Sequence, residues 1–218
     1  TWLVEVSMPQ AATRATSDTV TSAALRHGDK IRIEHKVGRV DLHIAGGDAI
    51  QNSQSRCSLG FNVTRGGAPF LLTAGHCTNA GGTWSGGDVS GATVVESDAP
   101  GADSGLLTRP NGTGPGEINN GQPITSVGNP TVGQQIEKSG STTGGGSGVV
   151  TSVDQSVNFD IGVINHEFGT TAHTEPGDSG GPAYAGSTGL GTLTGGDSVT
   201  SFFYPLTRCL LYTSPSPR

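Results

Sequence analysis

Apolar and polar positions alternate along this chain in short bursts. In residues 1–43, "TWLVEVS" alternates at Trp2, Val4 and Val6, and "IRIEHKV" at Ile31, Ile33, His35 and Val37, as strands do. Between them, residues 17–27 read as a helix, with Ser17 or Asp18 as N-cap and Gly28 at its end. This segment is predicted to be a small β-α-β unit, too short to be stable alone. From Ile44 the bursts crowd together. Strands are predicted over 58–64, 69–73, 92–96, 104–108, 132–138, 148–154, 157–165, 188–194 and 200–204. Gly-, Asn- and Ser-rich turns separate them, and no stretch predicts a long helix. Short strands at this spacing predict an all-β barrel fold rather than βαβ units.

Composition sharpens that picture. The 218 residues suffice for one domain or two small ones. The 36 glycines and the 14% of charged residues would suit a disordered chain, but 32% of the residues are hydrophobic and fall in bursts. Residues 1–43 hold six of the twelve Lys and Arg and only two glycines, Gly28 and Gly38. Residues 44–208 carry five cations, Arg56, Arg65, Arg109, Lys138 and Arg208, against thirteen acids. The first segment is therefore either an extension packed on the main domain or the end of a propeptide.

The net charge of −6 and the lack of a Lys/Arg cluster argue against a nucleic-acid partner. Runs such as "APFLL" and "IGVI" are too short to span a membrane. The chain does not begin with Met and shows no signal peptide, which predicts a fragment or a processed form. Three cysteines, Cys57, Cys77 and Cys209, leave one unpaired. No CxxC or HxxxH spacing suggests structural zinc, and no metal or cofactor is expected. The last ten residues, "CLLYTSPSPR", follow "TSFFYPLTR" without turn logic and resemble a transposase sequencing adapter read in frame. Residues 209–218 are expected to be an artefact outside the fold, which leaves Cys57 and Cys77 as the native pair. The competing reading is a disordered tail with Pro215 and Pro217.

Three stretches carry chemistry. "LTAGHC" (72–77) sets His76 after an apolar strand, "APGADSGLL" (99–107) sets Asp103 at the start of another, and "GDSGGP" (177–182) holds Ser179. A serine hydroxyl needs a base, and an imidazole with its ordinary pKa of about 6.5 serves. A buried carboxylate holds the imidazole in one tautomer. Backbone N–H groups, here those of Gly177 and Ser179, can hold the oxyanion. Gly180 and Gly181 allow sharp turning and close approach. A histidine after "TAG" and an Asp at a strand start are each ordinary turn chemistry when alone. The informative signals are the "GDSGGP" hexapeptide and the order His, Asp, Ser, which is that of chymotrypsin-type triads.

Residues 44–208 resemble the streptogrisin and alpha-lytic-protease group of bacterial chymotrypsin-like serine peptidases. The matching stretches are "IAGGDAI" (44–50), "RCSLGFNV" (56–63), "LTAGHC" (72–77), "SGSTTGGGSGVVTSV" (139–153), "TEPGDSGGP" (174–182) and "TSFFYPL" (200–206). The resemblance implies two perpendicular six-stranded antiparallel barrels, about 44–122 and 123–208, with the triad between them. It implies a secreted, extracellular endopeptidase, a serine protease acting on protein or peptide substrates, and a monomer is expected. It also implies that 1–43 is the C-terminal part of its own propeptide, cleaved before Ile44. By the same resemblance His76 is the base, Asp103 its orienting carboxylate and Ser179 the nucleophile. Cys57 and Cys77 match a disulfide that anchors the histidine loop. Lys138 matches a cation that neutralises Asp178, the alternative being a solvated surface lysine.

The substrate strand is expected at "TLTGG" (192–196), with Thr194, Gly195 and Gly196 pairing with an extended peptide. The S1 walls are expected from 174–176, 193–196 and 200–202, including Glu175, Leu193 and Ser201. Glutamate-selective relatives carry a histidine where Leu193 stands, and no charge is expected at the pocket base. An apolar or aromatic P1 residue is therefore predicted. Relatives hold a second disulfide, with one cysteine where His173 stands and the other in a loop longer than "DSVTS" (197–201). His173 is then a substituted rim residue or a second titrating group. The family chain continues into a C-terminal helix, which is expected to be missing here.

Overall fold

The computed structural model describes residues 4–9, 13–26, 31–36 and 43–211. Trp2, Gly28, Val37 and residues 212–218, with Pro215 and Pro217, lie outside the described residues. The chain divides into two units, Thr1–Leu42 and His43–Arg218.

The first unit contains β1 (Val4–Pro9), α1 (Arg14–Leu25) and β2 (Ile31–Lys36). β1 and β2 pair in parallel, with Val4 opposite Ile31, so the chain must cross over between them, and α1 is the crossover. The helix starts earlier than the sequence predicted. Thr13 is the N-cap, and its hydroxyl accepts the Thr16 amide at 3.2 Å. Ser17 and Asp18 thus lie inside the helix, because the cap requirement is already met ahead of Arg14.

The second unit opens with β3 (Ala49–Gln51), β4 (Arg56–Ser58), β5 (Phe61–Arg65), β6 (Ala68–Thr73), α2 (Gly75–Thr78), β7 (Thr83–Gly86), β8 (Val89–Asp98) and β9 (Ser104–Thr108). It continues with β10 (Ser126–Val127), β11 (Gln135–Gly140), β12 (Gly144–Phe159), β13 (Gly162–Thr170), β14 (Pro182–Ala185), β15 (Thr188–Gly196), β16 (Ser201–Pro205) and α3 (Leu206–Leu211). The sequence reading missed β3, β7, β10 and β14, each four residues or shorter, too brief to show alternation. It also ran one strand across 157–165, where the chain turns between β12 and β13.

Both sheets close. In the second, β15–β14–β11–β12–β13–β16 returns to β15, a six-stranded ring with β10 added in parallel. In the first, the order is β4–β3–β7–β8–β9–β6–β5, and its two edges are consecutive in the chain. Leu59 donates to Asp48 O and Gly60 to Leu72 O, both at 2.8 Å, so one bent strand through 56–65 joins the edges. Closure leaves few unpaired backbone groups at sheet edges.

Trp84, Ile50, Leu59 and Leu71 fill the first barrel. Ile136, Phe168, Leu193 and Phe203 fill the second, with the Phe168 and Phe203 rings stacked 5.4 Å apart. A third cluster forms the seam, where Phe61, Leu72, Leu106 and Ile118 meet Ile164, Tyr184, Tyr204 and Leu206. The expectation that the fold stops at Arg208 and lacks a terminal helix needs correction. α3 runs through Leu211, and Leu206 and Cys209, three apart on one face, are both buried in the seam. Cys209 stays a thiol, which burial pushes up to about 12. Among the described residues no helix is long and apolar enough to cross a membrane.

Candidate active site

The apolar run of β6 ends at Thr73, and α2 begins two residues later. Gly75 opens α2 against β8, because a Cβ there would lie 2.4 Å from Asp98 O. His76 follows and reaches the seam. A disulfide from Cys77 to Cys57 ties this turn to β4 across a sequence separation of 20. By loop-closure entropy such a bridge contributes ~3 kcal/mol. Asp103, fully buried, precedes β9 and accepts the His76 backbone N–H on Oδ1 at 2.7 Å. The ring Nδ1 lies 2.9 Å from Asp103 Oδ2. A carboxylate only accepts, so the Nδ1 proton faces Asp103 and the Nε2 lone pair stays free.

Ser179 lies on a tight loop. Gly177 and Gly180 adopt φ of +99° and +82°, which side chains with a Cβ resist. At Gly180 a Cβ would also lie 2.0 Å from Thr73 Oγ1. Asp178 N donates to Glu175 O, Gly180 N to Leu193 O and Gly181 N to Asp178 O, at 2.7–3.0 Å. The N–H groups of Gly177 and Ser179 have no acceptor among the described residues. Ser58 N donates to Ser179 O at 2.8 Å and links the loop to the first barrel. Among the described residues no hydrogen bond joins Ser179 to His76, whose Nε2 lies 3.7 Å from Cys77 Sγ. Catalytic contacts of this kind tighten when substrate fills a site.

Asp178, the neighbour of Ser179, is 1% exposed and saturated with donors. Oδ1 accepts from the Thr142 and Thr143 amides at 2.8 and 3.0 Å, and Oδ2 from Glu175 N at 3.1 Å and the Thr143 hydroxyl. Burial pushes its carboxyl up, but these bonds outweigh it and hold it below the usual range. Lys138 is buried as well, with Nζ 3.6 Å from Asp178 Oδ2 and donating to Thr143 Oγ1 and to Gly144 O. Burial lowers its ammonium, and the Asp178 charge opposes that. The glycines opposite make room, since a Cβ on Gly146 would lie 3.0 Å from Lys138 Cε.

A cavity of about 220 Å³ opens beside Ser179, lined by Thr174, Glu175, Pro176, Leu193, Gly195 and Gly196. β14 pairs with β15 only from Thr188 to Thr192, while Gly195 and Gly196 pair with β16. The other edge of this stretch can take an extended strand. Two residues of the expected substrate site carry buried hydroxyls. Thr194 falls at a bulge between Leu193 and Gly195 and points its hydroxyl into the interior. Ser201 is buried behind Thr174, their hydroxyls 2.7 Å apart, and donates to Ala172 O. His173 stands exposed at the rim, 3.2 Å from Glu175 Oε1.

The sequence reading missed Glu167 altogether. This residue of β13 is fully buried and accepts the Thr194 hydroxyl on Oε1 at 2.7 Å. Its Oε2 has no partner among the described residues. Burial pushes this carboxyl well above its ordinary value, and the Asp103 charge adds to that while Thr194 opposes it. The available signal was a lone acid in the run "GVINHEFGTTA" (162–172), which holds no other Asp, Glu, Lys or Arg. Cys57, His76 and Cys77 also cluster, but both sulfurs are in the disulfide and offer no thiolate to a metal.

No family model matches the chain. Streptogrisin-D of Streptomyces griseus is 44% identical over 197 residues, covering 84% of this chain and 50% of that protein. Streptogrisin-A of the same organism is 40% identical over 202 residues, covering 88% and 66%. The chain thus spans about half of the first and two thirds or less of the second. Glutamyl endopeptidase 2, also of Streptomyces griseus, is 42% identical over 180 residues, covering 77% of this chain and 95% of that protein. Among solved structures, a glutamic acid specific serine protease that uses a histidine triad in substrate binding matches with a TM-score of 0.72. Its identity is 39%, over 78% of this chain and 97% of that one. Protease A of Thermobifida fusca matches at 0.67 and 32%, over 78% and 95%. Identity at this level over nearly the full length of a relative, with a matching fold, means that the chain belongs to the streptogrisin and alpha-lytic-protease group of chymotrypsin-like serine proteases.

Proposed function

We propose that this chain is a secreted serine endopeptidase acting through an acyl-enzyme on Ser179. The observation that carries it is the pair of unused N–H groups at Gly177 and Ser179, beside an imidazole whose Nδ1 is held by buried Asp103. In this reading Ser179 Oγ attacks the scissile carbonyl and its proton passes to His76 Nε2. The two N–H groups receive the oxyanion. His76 then protonates the leaving amine, and water enters by the same route in reverse. Asp103 keeps the imidazole in the useful tautomer and supports its positive form. Ser179→Ala is expected to abolish casein hydrolysis and fluorophosphonate labelling while leaving the melting temperature near that of the parent. Labelling that persists on another residue would remove Ser179 from this role.

The cavity supports an apolar or aromatic P1 residue, because Leu193, Pro176 and two glycines line it and no Lys, Arg or His does. Similarity to glutamyl endopeptidase 2 favours a second reading, cleavage after glutamate. A glutamate side chain would meet Glu175 there, with no cation among the lining residues and His173 beside Glu175 at the rim. Chromogenic peptides varied at P1 decide, and a strong Glu, Lys or Arg preference would overturn the apolar reading.

The proenzyme reading, with residues 1–43 as propeptide and cleavage before Ile44, has one supporting contact. Ile44 N donates to Asp88 Oδ1 at 2.8 Å, so cleavage there would turn a neutral donor into an ammonium facing a carboxylate. The N-terminal residue of the mature protein tests it. Protein or peptide substrates outside the cell suit the disulfide, which persists in oxidising compartments.

A further inference from the structure

Glu167 is a fully buried acid of the second barrel that the mechanism above does not use. It enters from the middle of β13, whose register partner on β12 is Gln155. Four surfaces meet it or its surroundings. β15 brings the Thr194 hydroxyl at 2.7 Å. The start of β9 brings the Asp103 carboxylate, close enough to act on it electrostatically. β16 brings Phe202 and Phe203, which pair with the residues following Glu167. α3 brings the Cys209 thiol, which also feels Asp103. The neighbouring His166 is turned toward Asp154 on β12. Among the described residues no cation faces Glu167, and its Oε2 accepts from nothing. A dry carboxyl with one bare oxygen, no cation and a carboxylate nearby retains its proton.

We propose that Glu167 is a positioning residue of the active site: a neutral carboxylic acid that anchors the substrate strand through Thr194 and keeps a second negative charge away from Asp103. The inference rests on the triad and substrate-strand reading given above. Thr194 is the residue that the β15–β16 register skips, so its backbone lacks the ladder that fixes Gly195 and Gly196. The bond to Glu167 supplies the missing restraint at the point where an extended peptide would align. A carboxylate in the same place would stabilise the His76 imidazolium along with Asp103 and make His76 slower to release its proton to the leaving amine.

The experiment compares Thr194→Val, Glu167→Met, their double variant and Glu167→Gln on an extended peptide and on a short ester. Thr194→Val and Glu167→Met are expected to raise KM for the extended peptide ~5–10-fold, the loss of about one hydrogen bond, with a smaller change in kcat. The double variant should be no worse than either single one, and Glu167→Gln, which keeps an acceptor, should restore KM. The midpoint of the acid limb of kcat/KM should stay in place in Glu167→Gln, since no charge is removed. An acid limb that moves to lower pH, or an unchanged KM in both single variants, overturns the proposal. Infrared spectroscopy reads the protonation without activity: a protonated-carboxyl band present in the parent at neutral pH should vanish in Glu167→Gln. Absence of that band overturns the proposal even if Ser179 labels with fluorophosphonate. Failure of Ser179 to label, with the band present, instead overturns the triad reading.

Discussion

The nucleophile loop and the seam behind Asp103 each bury a carboxyl, and they treat it oppositely. Asp178 is met by three backbone amides, the Thr143 hydroxyl and Lys138. Among the described residues, Glu167 is met by one hydroxyl. Both are nearly inaccessible to water, so exposure does not separate them. The number and charge of the donors do: Asp178 is held down and Glu167 is pushed up. Two acids of the same barrel can therefore carry different charges at one pH. The first shapes the loop that carries Ser179, and the second is tied to Thr194 on β15.

The comparison breaks most visibly at Lys138. Lys138→Met leaves Asp178 charged and buried without its cation and is expected to cost ~3–5 kcal/mol. Calorimetry checks this, and an unchanged melting temperature would mean that the amides alone hold Asp178. Gly180→Ala acts on the loop itself. It combines φ of +82° with a Cβ 2.0 Å from Thr73 Oγ1, and is expected to cost about 2–4 kcal/mol with loss of activity.

Removing the Glu167–Thr194 pair should have the opposite sign. The double variant Glu167→Met/Thr194→Val takes out a buried, half-satisfied polar pair, and denaturant unfolding should find it neutral or ~1–2 kcal/mol more stable. A loss of more than that would mean that Glu167 has partners beyond Thr194.

The pH dependence of stability sharpens the contrast further. Asp178 is lowered on folding, so its contribution is present above its ordinary value of 3.8 and is lost as pH falls through the folded value. Glu167 is raised, so its contribution is full below 4.5 and is lost as pH rises through the folded value. Asp178→Asn should flatten the acid side of a plot of unfolding free energy against pH, and Glu167→Gln the side above 4.5. Curves that keep both slopes would reassign the titrating groups. The smallest effect is expected at Cys209. Its thiol, pushed up to about 12, should resist maleimide in the folded protein and react once unfolded.

Much of the turn around Ser179 was legible in one dimension because its steric constraints are local. "GDSGGP" needs its glycines for φ and clearance within a single turn, and the structure gives Gly177 and Gly180 those torsions. Cys57 and Cys77 were legible through resemblance, and they are bridged. The apolar runs of β6, β9 and β16, five or six residues each, were legible too, and half or more of each is buried. The short strands were not, because two to four residues contain too little alternation to stand out. Nor was α3, whose helical face is defined only by the seam that Leu206 and Cys209 enter.

What the sequence alone determined about this protein is the set of reactive residue types, their order, and the turns that would hold them. Those follow from steric rules acting over a few residues. The tertiary structure decided which polar groups share an interior. Thr194 was expected to pair with an extended peptide along its backbone, and its hydroxyl is buried against Glu167. Ser201 was expected in the S1 wall and lies behind Thr174. Glu167 carried no expectation, and the closed ring of strands that holds both β13 and β15 brings it against the Thr194 hydroxyl. The fate of a buried charge depends on every donor within a few ångströms, and those donors come from strands far apart in the chain.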